Sequence, residues 1–202
     1  IGESAGRYLQ GNYSIGIGVN CGKGDGTTDN QQGTKSVAIG WTSGKINQGS
    51  ESLAIGTSTG VNNQGANCIA LGTRSGKESQ GSNSISIGRD AGTESQSSNS
   101  IALGTNAGKI NQGGTAGYST AIGYKAGRTS QAKHSIAGGS EAGSTSQGNN
   151  SVAFGRLAGS SSQGANSVAI GFKPGQTSQG VHSIAIGDQA GNDAQSTYSI
   201  AI

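Results

Sequence analysis

Large apolar residues recur in pairs that flank one small residue: Ile15 and Ile17, Val37 and Ile39, Leu53 and Ile55, Ile69 and Leu71. The pairs return every 16 residues within a unit whose core reads Ser-Ile-Ala-Ile-Gly-x-x-Ala-Gly-x-x-Ser-Gln-Gly-x-Asn. Copies begin at Ser14, Ser36, Ser52, Cys68, Ser84, Ser100, Ser119, Ser135, Ser151, Ser167, Ser183 and Ser199. Numbering each copy from that first residue, slots 2 and 4 are large and apolar, whereas slots 1 and 3 are small. This alternation predicts a β-strand with one buried face. The large residues are expected inward and the Ser and Ala columns outward. A strict period this short predicts one supersecondary unit stacked on itself, a parallel β-solenoid of about twelve coils. At roughly 4.8 Å per coil it would form a rod about 55–60 Å long.

Two glycine columns support this reading. Slots 5 and 9 are Gly in every copy, from Gly2 to Gly187 and from Gly6 to Gly191. Corners with positive φ account for both, since glycine alone adopts them without strain. Slot 8 is Ala or another small residue (Cys21, Ser43, Thr59, Ser75, Pro174), which predicts a narrow interior. Slot 13 is always Gln, from Gln10 to Gln195. A catalytic role does not recur in every coil, so the expected role is an amide ladder running from coil to coil. Two copies are too long, with the excess near residues 23–28 and 114–116. Insertions in solenoids form surface loops. Gly138 takes slot 4, where Ile is the rule, and the next coil has Phe154 there. The Phe154 ring is expected to fill the hole in the core.

Composition alone would suggest disorder: Gly is abundant at 39 residues and the aromatic share is 4%. The in-phase Ile columns argue against that. Residues 1–202 read as one repeat-array domain that begins and ends inside a repeat, as expected for a piece of a longer array. No apolar run approaches the ~20 residues of a membrane helix, so this segment is not expected to insert in a membrane. A net charge of +3 does not call for nucleic acid. Each coil buries little apolar surface, so another surface should be covered on assembly. The outward Ser and Ala strip is the expected subunit interface of a homotrimer: Ser36, Ala38, Ser52, Ala54, Cys68, Ala70, Ser100, Ala102, Ser167 and Ala169.

The Ser-Val-Ala-Ile-Gly motif at residues 36–40 and 167–171, with near-copies in phase elsewhere, resembles the head repeats of bacterial trimeric autotransporter adhesins. The resemblance implies a trimeric left-handed parallel β-roll that binds host surface ligands. It implies an extracellular place at the cell surface, with outer-membrane anchoring through regions outside this segment. The repeat here is longer than in those heads, and its Ala-Gly-x-x-Ser-Gln-Gly half is not theirs. Similar arrays resemble fibre proteins of bacteriophages and large DNA viruses, which leaves a virion fibre as the alternative owner.

The search for chemistry yields no catalytic set, no cofactor motif and no expected metal site. His134 and His182 both occupy slot 16, three coils apart, too far to share a metal. Cys21 and Cys68 are likewise too distant for an intrachain disulfide. Residues 23–29 hold Asp25 and Asp29, too few oxygen ligands for a full calcium site. The other aspartates, Asp90, Asp188 and Asp193, are scattered between coils, which argues against a polysaccharide-degrading enzyme.

Basic residues do cluster, in slots 6–10, among them Arg7, Lys45, Arg74, Lys77, Arg89, Lys109, Lys125, Arg128, Arg156 and Lys173. Trp41, Tyr124 and Phe172 share slot 6. Cations beside aromatic faces suit anionic glycans, so this edge is the candidate ligand surface. The expected function is a non-enzymatic surface fibre or adhesin head whose partners are itself and a host glycan or matrix protein. An ice-binding solenoid is the runner-up, resting on the slot 1 hydroxyl row.

Overall fold

The computed structural model describes residues 1–27, 31–115 and 117–202. Asp29 of the first insertion and Ala116 of the second lie outside the described residues, and with Asp29 goes half of the calcium expectation. Twelve three-residue or shorter strands, from Ile15–Ile17 through Val37–Ile39 and Leu53–Ile55 to Ile200–Ala201, form one parallel sheet. Each strand pairs with that of the next coil in unshifted register, as in Val37 to Leu53 and Ala38 to Ala54. The second strands of the coils stack opposite, as a two-stranded sheet holding Ile46–Gln48 and a six-stranded sheet holding Glu94–Gln96 to Thr177–Gln179. Bridges between slot 13 glutamines, Gln32 to Gln48 and Gln64 to Gln80 among them, continue this stack. The chain is an all-β parallel solenoid, as the period predicts.

The faces of the first strand are the reverse of the expectation. The slot 3 alanines, Ala38 to Ala185, are wholly buried within the single chain, and the slot 1 residues from Ser36 to Ser183 are buried with them. Slots 2 and 4 point outward: Ile136 is 45% exposed and Phe154 59%. The reason is width. A 16-residue coil folds its two strands so close together that the space between them holds only methyl groups, hydroxyls and one amide. Slot 8 joins this interior as expected, with Ala107, Ala126, Ala142 and Ala158 fully buried. Phe154 does lie over Gly138, since a Cβ there would sit 2.7 Å from its Cδ2 and Cε2. It does so on the outer face, so it fills no core.

The slot 13 glutamine spans the interior, and this too differs from the expected ladder. Its Nε2 donates to the slot 2 carbonyl of its own coil: Gln48 to Val37 at 3.0 Å, Gln147 to Ile136 at 2.7 Å, Gln179 to Val168 at 2.8 Å. Its second proton reaches the first carbonyl of the following repeat in several coils, as in Gln80 to Ser84 at 3.3 Å. Direct amide-to-amide bonds join only Gln64 to Gln80 and Gln96 to Gln112 among the described residues. The side chain is therefore a strut that ties the second strand to the first. The first-strand carbonyls take the amide proton as a second bond: Ser84 accepts from Gln80 and also from the Ile69 N–H at 3.0 Å.

Five positions per typical coil have positive φ. Slots 5 and 9 are the predicted glycines, for example Gly104 at φ 128° and Gly108 at 49°. At Gly104 a Cβ would also lie 2.6 Å from the carbonyl oxygen of Gly123 in the next coil. Slots 7, 12 and 16 are left-handed as well, yet carry ordinary residues such as Asn106, Asn111 and Tyr118. Asparagine tolerates that region better than most, and its frequency in these slots was the available signal.

Two substitutions test this packing. Ala121→Leu should lower stability by about 1–3 kcal/mol or more through overpacking, and Gly104→Ala should also destabilise, both by urea unfolding. A leucine accommodated at Ala121 without loss would contradict the narrow interior.

Candidate functional site

Chemistry in this fold can only lie on its outer columns. The first is apolar. Slots 2 and 4 place Ile, Val, Leu and Phe side by side on the outer face of the twelve-stranded sheet, broken only by Thr120 and Gly138. The strip runs roughly 55 Å at about 4.8 Å per strand. Contiguous exposed apolar surface of this kind marks an interaction face. The residues expected at the interface, Ser36, Ala38, Ser52, Ala54, Cys68, Ala70, Ser100, Ala102, Ser167 and Ala169, are at most 3% exposed and face inward. They cannot form the seam. Many of the slot 1 hydroxyls donate to carbonyls three residues earlier, as Ser36 does to Gly33 at 2.6 Å. The ice-binding reading built on that hydroxyl row loses its surface.

The basic edge resolves into two neighbouring columns, because slot 8 turns inward and slot 9 is the corner glycine. Trp41, Arg74, Arg89, Tyr124, Lys125, Phe172 and Lys173 stand in slots 6 and 7. Here cations cover aromatic rings: Lys125 Nζ lies 4.9 Å from the Tyr124 centroid, and Arg156 and Lys173 lie 5.3 and 5.2 Å from that of Phe172. Arg74 grips the carboxylate of Asp90 in the next coil with two bonds of 2.7 and 2.8 Å. Lys45, Lys77, Lys109 and Arg128 stand in slot 10, across the corner. Lys77 Nζ lies 2.9 Å from Glu78, whose carboxyl this contact and Asn62 hold below the usual range.

The remaining candidates offer no reactive set. His134 stacks on Tyr118 and His182 on Tyr198, with ring centroids 5.3 and 5.0 Å apart. Cys21 and Cys68 are buried free thiols, and burial pushes both thiols up. The Cys68 sulfur lies 3.0 Å from the Gly81 carbonyl and faces the interior. A groove of about 640 Å³ beside the second insertion is lined by Ser79, Ser95, Asn111, Thr115 and Ser130, among others, and by no titratable side chain. No group of three His, Cys, Asp or Glu residues that could hold a metal exists among the described residues. No helix among them is long and apolar enough to cross a membrane.

Comparison with known families supplies an independent anchor. The YadA head domain repeat matches the chain at residues 79–107, 142–158 and 147–173. These repeats are thus similar to the heads of trimeric autotransporter adhesins, which are extracellular, non-enzymatic β-rolls. Neither the curated proteins nor the solved structures contain a match.

The Arg74–Asp90 pair predicts a pH dependence. Arg74 holds the Asp90 carboxyl below its ordinary value. A depressed carboxyl contributes stability above its unfolded pKa of about 3.9 and loses it as pH falls through the lower folded value. Acid should therefore destabilise the wild type below about pH 4 more than it destabilises Asp90→Asn, as read from urea midpoints at each pH. Exposure of Arg74 to solvent keeps the difference small.

Proposed function

We propose that this chain is a non-enzymatic head or fibre segment that assembles as a homotrimer through its Ile, Val and Leu columns. Its outer edges then face a host surface or matrix ligand outside the cell. The observation that carries this reading is the apolar strip. It is uncharged, and it repeats in unshifted register along the whole sheet. A second surface of the same length and period is its natural cover, and further copies of the chain supply one. The adhesin heads that these repeats resemble are homotrimeric in general. Packing the strips around a three-fold axis leaves the slot 6–7 and slot 10 columns on the outside.

Light scattering on a size-exclusion column should give three times the 19.8 kDa chain mass. A mass of one or two chains at high concentration overturns the trimer. Leu103→Asp, in slot 4, should dissociate the assembly with the strand signal in circular dichroism retained, because the residue lies outside the coil's own core.

A further inference from the structure

The slot 10 column continues further than the sequence suggests, and it has an unusual charge pattern. Its register is fixed by backbone hydrogen bonds, since each slot 10 carbonyl accepts the slot 11 N–H of the preceding coil. Tyr8 donates to Lys23, Gly24 to Lys45, Ile46 to Val61, Asn62 to Lys77, Glu78 to Thr93, Glu94 to Lys109 and Ile110 to Arg128, at 2.7–2.9 Å. Lys23 and Gly24 therefore keep the stacking, and the first insertion begins after them. Both insertions leave the column unbroken. Arg7, Lys23 and Lys45 stand in three successive coils, and Lys77, Lys109 and Arg128 follow in the same row.

Like charges directly opposite in neighbouring strands are destabilising. The slot 16 column avoids this by matching neighbours: Lys35 faces Glu51, Asn150 donates to Asn166 and Tyr118 stacks on His134. The slot 10 row does not. Among the described residues no ion pair holds Lys23, Lys45, Lys109 or Arg128. The carboxylates beside the row are Asp25, Glu78, Glu94 and Asp90. Of these, Glu78 is engaged by Lys77, Asp90 by Arg74 and Asp25 by Thr27. Beyond Arg128 the row turns neutral, with Ser144, Ser160, Gln176 and Asn192.

We infer that the slot 10 row is a binding track for a linear acidic polysaccharide. This names the ligand class of the attachment surface and rests on the reading of the chain as an outward-facing head segment. The row spans about 34 Å, with cations roughly 5–10 Å apart. Such gaps are near the Debye length of about 8 Å at physiological salt, so the cations act as one continuous positive line. An extended chain of pyranose rings bearing carboxylates or sulfates presents anions along a straight line at comparable intervals. The phosphates of a duplex wind around their axis and leave a straight row after part of a turn. Outward placement on the second-strand side keeps the row open when the apolar strip is covered.

The test uses heparin as the probe, with neutral dextran and duplex DNA as comparators, measured by calorimetry on the full chain. Heparin should bind with a strongly salt-dependent affinity and dextran should not bind. The triple variant Lys45→Gln, Lys109→Gln, Arg128→Gln should bind heparin about tenfold or more weakly at low salt, through lost counterion release. The control double Lys35→Gln, Lys133→Gln removes two charges elsewhere and should lose less than about threefold, whereas the row double Lys45→Gln, Lys109→Gln, which removes the same charge, should lose more. Equal losses in the two doubles, or no heparin binding by the wild type, overturn the track. DNA bound as tightly as heparin overturns the polysaccharide assignment in favour of nucleic acid. Light scattering on the same samples reports the trimer separately, so the failure of either proposal is distinguishable.

Discussion

The width of the coil interior is the constraint on which the rest depends. Two strands drawn together by a 16-residue turn leave room for a methyl at slot 3, a methyl at slot 8, a hydroxyl at slot 1 and the slot 13 amide. Nothing larger fits, so the large apolar side chains must leave. Apolar burial inside one chain is correspondingly modest, and much of the cohesion comes from coil-to-coil backbone hydrogen bonds and from the glutamine struts. The Gln Nε2 protons find acceptors on first-strand carbonyls, which already accept backbone N–H bonds from the neighbouring coil, as Ser84 does from Ile69. A buried amide N–H left without an acceptor would be costly, and each strut avoids that while tying the second strand to the first.

Expelling the isoleucines gives the molecule its apolar outer face. A monomer with such a strip would be prone to association, and in the proposed trimer the same strip becomes the assembly device. Small residues close the coil, and the large ones are left to close the proposed assembly. The Gly138 and Phe154 pair shows that the outer face is itself fitted, with a ring leaning over the place where a side chain is missing.

Stacking in register also makes each slot a column whose members are mutual neighbours. The slot 16 column is internally matched, by ion pair, amide bond and aromatic stack. A column that accumulates like charge with only Lys77 ion-paired stands out against that example, and the slot 10 row is such a column. Its limits follow the sequence closely, from Arg7 to Arg128, while its continuity is a property of the backbone ladder.

The period, the strand and corner positions, the slot 5 and 9 glycines and the small slot 8 were legible in the sequence, because each leaves a one-residue signature that repeats. The similarity of residues 36–40 and 167–171 to adhesin heads was legible for the same reason. The side of the strand facing the interior was not. Alternation identifies two faces but carries no information on the distance to the opposite strand, and that distance decides which face is buried. The glutamine partner, the left-handed slots filled by ordinary residues and the membership of Lys23 in its row were equally hidden. Each depends on which atoms lie across the coil or in the next one. The sequence by itself determined what repeats; only the folded coil, through its width and register, decided which columns look inward, which look outward and which meet.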